Sequence, residues 1–295
     1  MARDAAAEAF ARAAPPGSSL DCALRTAPRA ARADLLAVAA YAGEIRRIPA
    51  EASEPSVARS RLQWWRAEHL RILDGGGEHP LAPALAAAIE RHALPGAELR
   101  ALLDEADRAL DAQPPATLAE QRDEARRLGA APQRLAARIL CGPDTEAQTY
   151  AERAGAAAVL TRRLRLQGLA ARRGQLQLPI AALEAQGLAP GHALAERSAE
   201  GQQRLQAAVA AHAGELAGLY RQAAEHAPRA AALRRRLRPL AAYTAIHRAL
   251  LEEIRRRPER LLAGRITLTP LRKAWLARRA RLAKPPRLLA LLGVA

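Results

Sequence analysis

The sequence predicts an all-α protein folded as a single-domain helical bundle, and three observations lead there. Half of the 295 residues are apolar, yet only one is Phe, four are Tyr and three are Trp. Alanine and leucine therefore carry the apolar content, which favours helices over sheets. Apolar positions recur three and four residues apart, and runs of β-branched residues are almost missing. Proline and glycine punctuate these periodic stretches. The chain is long enough to bury a substantial core, and no repeat, low-complexity block or linker divides it.

Residues up to about Ser19, closing on Pro15-Pro16-Gly17, are expected to fray. From Pro28 to about Ile48, Leu35, Leu36, Val38, Ala39 and Ala42 form an apolar helical stripe, which Pro49 ends or kinks. Ser53-Glu54-Pro55 suits a helix start, with proline in the first turn of a helix reaching Leu73. Of its two tryptophans, Trp64 and Trp65, one is expected in the core and the other at its margin. Asp74 to Pro80 reads as a loop, and His79 in it has no His or Cys at ligand spacing. Two helices follow, Leu81 to Ala93 and Ala97 to Leu110, separated by Pro95-Gly96. After Pro114-Pro115, Thr117 and Glu120 form a capping box that opens a helix to about Leu140, with Leu128, Leu135, Ile139 and Leu140 inward. A central helix from about Glu146 to Arg172 carries small residues that allow close packing, and Gly174, Leu176, Leu178 and Pro179 break its pattern. A short helix from Ile180 to Gln186 closes at Gly187. Long helices at about His192 to Glu225 and Arg229 to Arg256 complete the series.

The formal charge is +16, and all basic residues but Lys273 and Lys284 are arginine. Such a balance raises attraction to nucleic acid, anionic lipid or phosphorylated ligands. No RNA-binding signature, zinc-finger spacing or basic-region heptad is present, so nucleic acid is not the expected partner. Cys22 and Cys141 have no metal-ligand spacing and build no disulfide framework, which fits a reducing compartment. The N-terminal stretch carries acids and lacks a continuous apolar core, a poor match to a targeting peptide. Its longest nearby apolar run, Leu35 to Ala42, is too short to span a bilayer. A cytoplasmic protein follows as the expectation, one that at most touches the inner membrane from the side. No GxSxG, GxxxxGK[ST], HExxH or paired Cys/His arrangement occurs, and the seven histidines are scattered.

One stretch organises the rest: Leu160 to Pro179, LTRRLRLQGLAARRGQLQLP. It resembles the second signature of the squalene/phytoene synthase family, roughly QLTNILRDVxEDAxRGRxYLP in active members. Leu160-Thr161, Leu164-Arg165, Gly174 and Leu178-Pro179 fall on family positions without a gap. Where active members carry metal-holding aspartates this chain has Leu166 and Ala170, with Leu169 in place of the glutamate. The helix before Pro49 resembles the first signature, approximately AFCRxxDDIVDE. There the adjacent aspartates become Arg46 and Arg47 and the third becomes Ala50, while Glu44 and Glu51 lie off the metal positions. The text from Glu44 to Arg66, with its SEP and RLQWWR phrases, is similar to one branch of the family, which includes the mitochondrial complex I assembly factor. Tyr243 to Ile254, Leu261 to Leu268 and Arg272-Lys273 resemble the family's C-terminal helices. The likeness spans about residues 18 to 283. The implied organisation is a flexible N-terminus over 1–18, a squalene/phytoene synthase-like domain over 19–284 and a C-terminal tail over 285–295.

The resemblance implies the isoprenoid synthase fold, in which two aspartate-rich helices hold magnesium against a prenyl diphosphate. Magnesium takes oxygen ligands in near-octahedral geometry and offsets the charge building on the departing diphosphate. Arg46, Ala50, Leu166, Leu169 and Ala170 supply no such oxygens, so neither a metal nor a cofactor is expected. Guanidinium groups bind phosphate without a metal. Arg46, Arg47, Arg162 and Arg173 are therefore the candidates for a diphosphate or lipid phosphate. On a continuous helix Arg162, Leu166, Leu169, Ala170 and Arg173 share one face. The alternative is that these arginines pair with Glu44, Glu51 or other acids and only hold helices together. The expected function is a non-catalytic binding or assembly factor, for a prenyl lipid or respiratory complex I, with a protein partner or a peripheral membrane contact. The alternative is a prenyltransferase-like enzyme acting on a prenyl diphosphate without the magnesium–aspartate cluster.

Overall fold

Short polar side chains set where many of the helices begin. Ser18, Thr117, Asp144 and Ser198 each accept a bond from a backbone N–H three residues on, meeting one of the donors a helix start leaves free. The computed structural model describes residues 2–52, 54–110, 113–171, 177–193, 198–264 and 266–282, and contains no strand among them. Ser53, Arg173, Gly174, Leu176 and the tail 285–295 lie outside the described residues, as does the side chain of Leu169.

The first region comprises α1 (Ala2–Ala13), α2 (Ser19–Leu24), α3 (Arg32–Glu51), α4 (Pro55–Leu73), α5 (Ala82–His92) and α6 (Gly96–Arg108). Next come α7 (Leu118–Glu124), a π turn (Ala125–Gly129), α8 (Ala131–Cys141) and α9 (Thr145–Arg165). The chain continues through α10 (Gln167–Ala171), α11 (Ile180–Glu184), α12 (Pro190–Ala193) and α13 (Ala199–Glu225). It ends through α14 (Ala231–Arg236), α15 (Arg238–Arg256), α16 (Pro258–Ala263) and α17 (Pro270–Leu282).

Two apolar clusters form the interior. One joins α3, α4, α5, α6 and α8 to the first half of α9 through Tyr41, Ile45, Leu62, Leu85, Leu102 and Tyr150. The other joins the second half of α9 to α13, α15 and α17 through Leu160, Leu164, Val209, Tyr220, Ile246 and Leu276. Helix α9 thus belongs to both, as its small residues allow. A Cβ on Gly155 would meet those of Gln133 and Ala130 at 3.0 and 3.1 Å, so only glycine permits that approach to α8 without displacement. Trp65 is buried and Trp64 is at the margin, as the sequence suggested. His79 lies against Trp65, their ring centres 4.6 Å apart.

Four local expectations are corrected. Residues 2–13 form a helix where fraying was expected: α1 packs on α3, burying Ala9 beside Ala40 and Leu81. Pro49 does not stop α3 at its own position: the helix gives up the one bond that Pro49 cannot donate and runs on to Glu51, where Ala52 N–H bonds the Ile48 carbonyl at 3.1 Å. The helix expected from Thr117 to Leu140 is interrupted by the π turn. Ala130 N–H reaches back five residues to the Ala125 carbonyl at 2.8 Å, and Pro132 starts α8 afresh. Finally, α9 stops at Arg165, where Leu166 N–H bonds the Arg163 carbonyl at 3.0 Å in a tightened final turn. Arg162 and Ala170 therefore do not share one continuous helical face.

Candidate functional site

Helix burial decides which side chains meet at the centre. Leu99, Leu102, Leu103 and Ala106 turn α6 inward, and Glu105 lies in that same stripe. Its side chain is 6% exposed. Burying Tyr41, Ala42, Ile45 and Ile48 brings Arg46 of α3 to it. Burying Leu160, Thr161 and Leu164 brings Arg162 and Arg163 of α9 from the other side.

Glu105 is the hub. Arg46 donates to its Oε2 from Nε at 3.3 Å and from Nη2 at 3.2 Å. Arg163 Nη2 donates to Oε1 at 3.4 Å, and Arg162 Nη2 stands 3.7 Å from the same oxygen. Arg46 Nη2 also donates to the Gly129 carbonyl at 3.2 Å, so the π turn contributes an acceptor to the cluster. Gly129 itself is confined: a Cβ there would come within 2.8 Å of Val159 Cγ1 and 3.3 Å of Glu105 Oε1. Arg163 continues the network to Glu124 at 3.0 Å, and Arg108 bonds the other oxygen of Glu124 at 3.2 Å.

Burial alone would raise the pKa of Glu105, but Arg46, Arg162 and Arg163 overturn that and hold it at about 2. Arg162 is drawn down to about 10 by burial and by the like charge of Arg46, which leaves it charged at neutral pH. Its side chain keeps 29% exposure and its only ion pair among the described residues is the long one to Glu105. On α15, His247 Nδ1–H donates to the Tyr243 carbonyl at 2.9 Å. Burial, with Arg162, Arg165 and Lys273 adding like charge, pushes the His247 pKa down to about 4 despite that bond. Behind Arg162, the Thr161 hydroxyl bonds the Ala157 carbonyl at 2.9 Å and Tyr220 Oη at 2.8 Å, tying α9 to α13.

Of the four arginines singled out from the sequence, Arg46 and Arg162 come together here. Arg47 does not: it runs along its own helix to Glu51 at 2.7 Å and Glu44 at 3.3 Å, the pairing foreseen as the alternative. Arg173 lies outside the described residues. Ala50 is exposed near the end of α3, Leu166 caps α9 and Ala170 is buried. This donor set does not suit magnesium, since the central carboxylate already faces three guanidinium groups. Among the described residues no group of three or more His, Cys, Asp or Glu could hold a metal ion.

The sequence reading missed Glu105, Arg163 and Glu124. The signal for Glu105 was present, as a carboxylate spaced with Leu99, Leu102, Leu103 and Ala106 on an apolar face. Its partner Arg46 is 59 residues away, which no local pattern reveals.

Two solved structures share this architecture. Squalene synthase HpnC from Alicyclobacillus acidocaldarius superposes with a TM-score of 0.71 at 20% identity, covering 88% of this chain and 94% of that one. A dehydrosqualene synthase in complex with ligand gives a TM-score of 0.76 at 18% identity, covering 95% and 96%. At these identities the likeness is one of fold. No curated protein matches the sequence. The family model for squalene/phytoene synthase matches residues 14–272, which takes in both signature-like stretches and the helices that carry the Glu105 cluster. The chain therefore belongs to the squalene/phytoene synthase family.

Proposed function

We propose that this chain is a non-catalytic member of its family, a binding or assembly factor that holds a prenyl diphosphate or a related lipid phosphate without turning it over. One observation carries the reading: Glu105 sits among Arg46, Arg162 and Arg163, arginines carried on the two stretches that resemble the family's signatures. An ion cluster that joins α3, α6 and α9 supplies the attraction between helices, and it commits Glu105 to guanidinium groups rather than to the cation that prenyl transfer needs. Four cations, Arg46, Arg108, Arg162 and Arg163, against Glu105 and Glu124 leave positive charge in excess, and Arg162, partly exposed and loosely paired, is the group best placed to take a phosphate oxygen. Arg163 and Arg46 remain engaged with Glu105 and orient it.

Thermal melts with and without farnesyl diphosphate, together with a product assay containing magnesium, test the reading. The expected outcome is a ligand-dependent rise in melting temperature that disappears in Arg162→Met, with no product from farnesyl or geranylgeranyl diphosphate. Absence of any rise in the wild type ends the phosphate-binding half. Product formed with magnesium ends the non-catalytic half, and product formed in chelator supports a metal-free prenyltransferase instead.

A protein partner is the second reading. The resemblance of Glu44 to Arg66 to the assembly-factor branch suggests a role in respiratory complex I assembly, and α4 exposes Val57 and Trp64 on its outer side. The chain is read as cytoplasmic with a peripheral contact to anionic membrane. Among the described residues no helix is long and apolar enough to cross one.

A further inference from the structure

A second concentration of arginine lies outside the family site. Helices α13, α15 and α17 enclose a groove of about 940 Å³, whose lining includes six arginines and a single acid, Glu252. Arg221 comes from α13, Arg248 and Arg255 from α15, and Arg272 and Arg279 from α17. Alanines 213, 217, 245 and 249 keep the groove open, since none extends beyond Cβ. Arg255 and Arg256 share Glu252, and Arg272 pairs with Glu253, so cations still outnumber carboxylates.

The rim beside this groove is apolar and exposed. Leu271 is 84% exposed and Trp275 53%, the two exposed large apolar side chains of α17, and together they make a small apolar patch. They are four residues apart and so lie one above the other on the helix. Leu276, Ala277 and Ala280 face the core, which fixes the Leu271–Trp275 ridge outward. Arg279 lies over the Trp275 ring at 4.6 Å, placing a cation against the face of the indole at the groove edge.

We propose that the groove between α13, α15 and α17, with the Leu271–Trp275 ridge, is the surface by which this protein docks on an anionic phospholipid membrane. It names a surface for the peripheral contact put forward above and is independent of the prenyl-diphosphate reading. Arginines bind lipid phosphates while an aliphatic and an indole side chain enter the headgroup boundary. Charge complementarity with a phosphate layer explains the groove. The outward leucine favours lipid over nucleic acid, because a polyanion in water gives an aliphatic side chain nothing to enter.

Flotation of the full-length protein with vesicles of phosphatidylcholine, with and without phosphatidylglycerol, tests the proposal at low and high salt. The wild type is expected to bind the anionic vesicles and to release as salt rises. Arg221→Gln with Arg279→Gln should weaken binding about thirtyfold, at roughly fivefold per surface cation. Leu271→Ser with Trp275→Ser should weaken it about tenfold through lost apolar contact. A chain ending at Leu282 should still bind, and all variants should keep the wild-type melting temperature and its farnesyl diphosphate response. No vesicle binding by the wild type overturns both the membrane contact and this surface. Binding unchanged in both double variants overturns the surface alone. Loss only in the shortened chain assigns the contact to the tail, and displacement by RNA without effect of the Leu271/Trp275 change assigns the groove to nucleic acid; either result overturns the proposal.

Discussion

The central cluster and the α13–α15–α17 groove are both built from arginine, and they behave differently because of water. At the centre, three guanidinium groups converge on one carboxylate that is almost withdrawn from solvent. In the groove, Glu252 meets Arg255 and Arg256 three and four residues along its own helix, on a wet surface. The first arrangement joins three helices across the fold, whereas the Glu252 pairs stay on a single helix. Solvent access and sequence distance, more than residue type, decide whether an arginine binds structure or stays available for a partner.

Removing the acid from each region puts that contrast to the sharpest test. Glu105→Gln leaves Arg46 and Arg162 without a counter-charge and Arg163 with Glu124 alone, and should cost about 3–5 kcal/mol in urea unfolding. A loss below about 1 kcal/mol would mean that water reaches the cluster and that the two regions do not differ. Acid should expose the same contrast through two windows. His247, held at about 4 against its ordinary 6.5 by burial, favours its neutral form in the fold, so its contribution is whole above pH 6.5 and fades as pH falls towards 4. Glu105, held at about 2 against 4.5, keeps its contribution above pH 4.5 and loses it as pH falls towards 2. Each shift corresponds to about 3 kcal/mol. Unfolding midpoints measured across pH should therefore fall in two steps, and His247→Gln should shrink the upper one, to which His69 and His79, also pushed down by burial, contribute. The smallest effect belongs to the groove: Glu252→Gln should change stability by less than about 1 kcal/mol, and added salt should erase even that. A larger, salt-resistant loss would show the groove pairs to be structural.

Much of this could be read from the sequence. The all-α fold follows from alanine and leucine at helical spacing, and the likeness of two stretches to family signatures singles out Arg46 and Arg162, which both approach Glu105. What stayed hidden was non-local. Glu105 reads as an ordinary helix glutamate until Arg46, 59 positions away, is set against it. Arg47 was grouped with Arg46 by adjacency, yet neighbouring residues on a helix point about 100° apart, and it turned to Glu51 instead. The π turn escaped notice because no local motif marks it; the crowding of Gly129 against Val159 is a tertiary fact. The N-terminal helix was missed because Ala9 gains a reason to be helical only when Ala40 and Leu81 are there to cover it.

Helix α9 is a wall common to both apolar clusters, with Tyr150, Ala151 and Ala154 in one and Ala157, Leu160 and Leu164 in the other. A shared wall couples the rooms on either side. Opening the α13–α15 side would strip α9 of cover just where Arg162 and Arg163 anchor it to α6, so neither half can melt while the other keeps its order. Backbone amides along the whole of α9 should therefore exchange with deuterium only when the entire molecule opens, at one common and slowest rate from Tyr150 to Leu164.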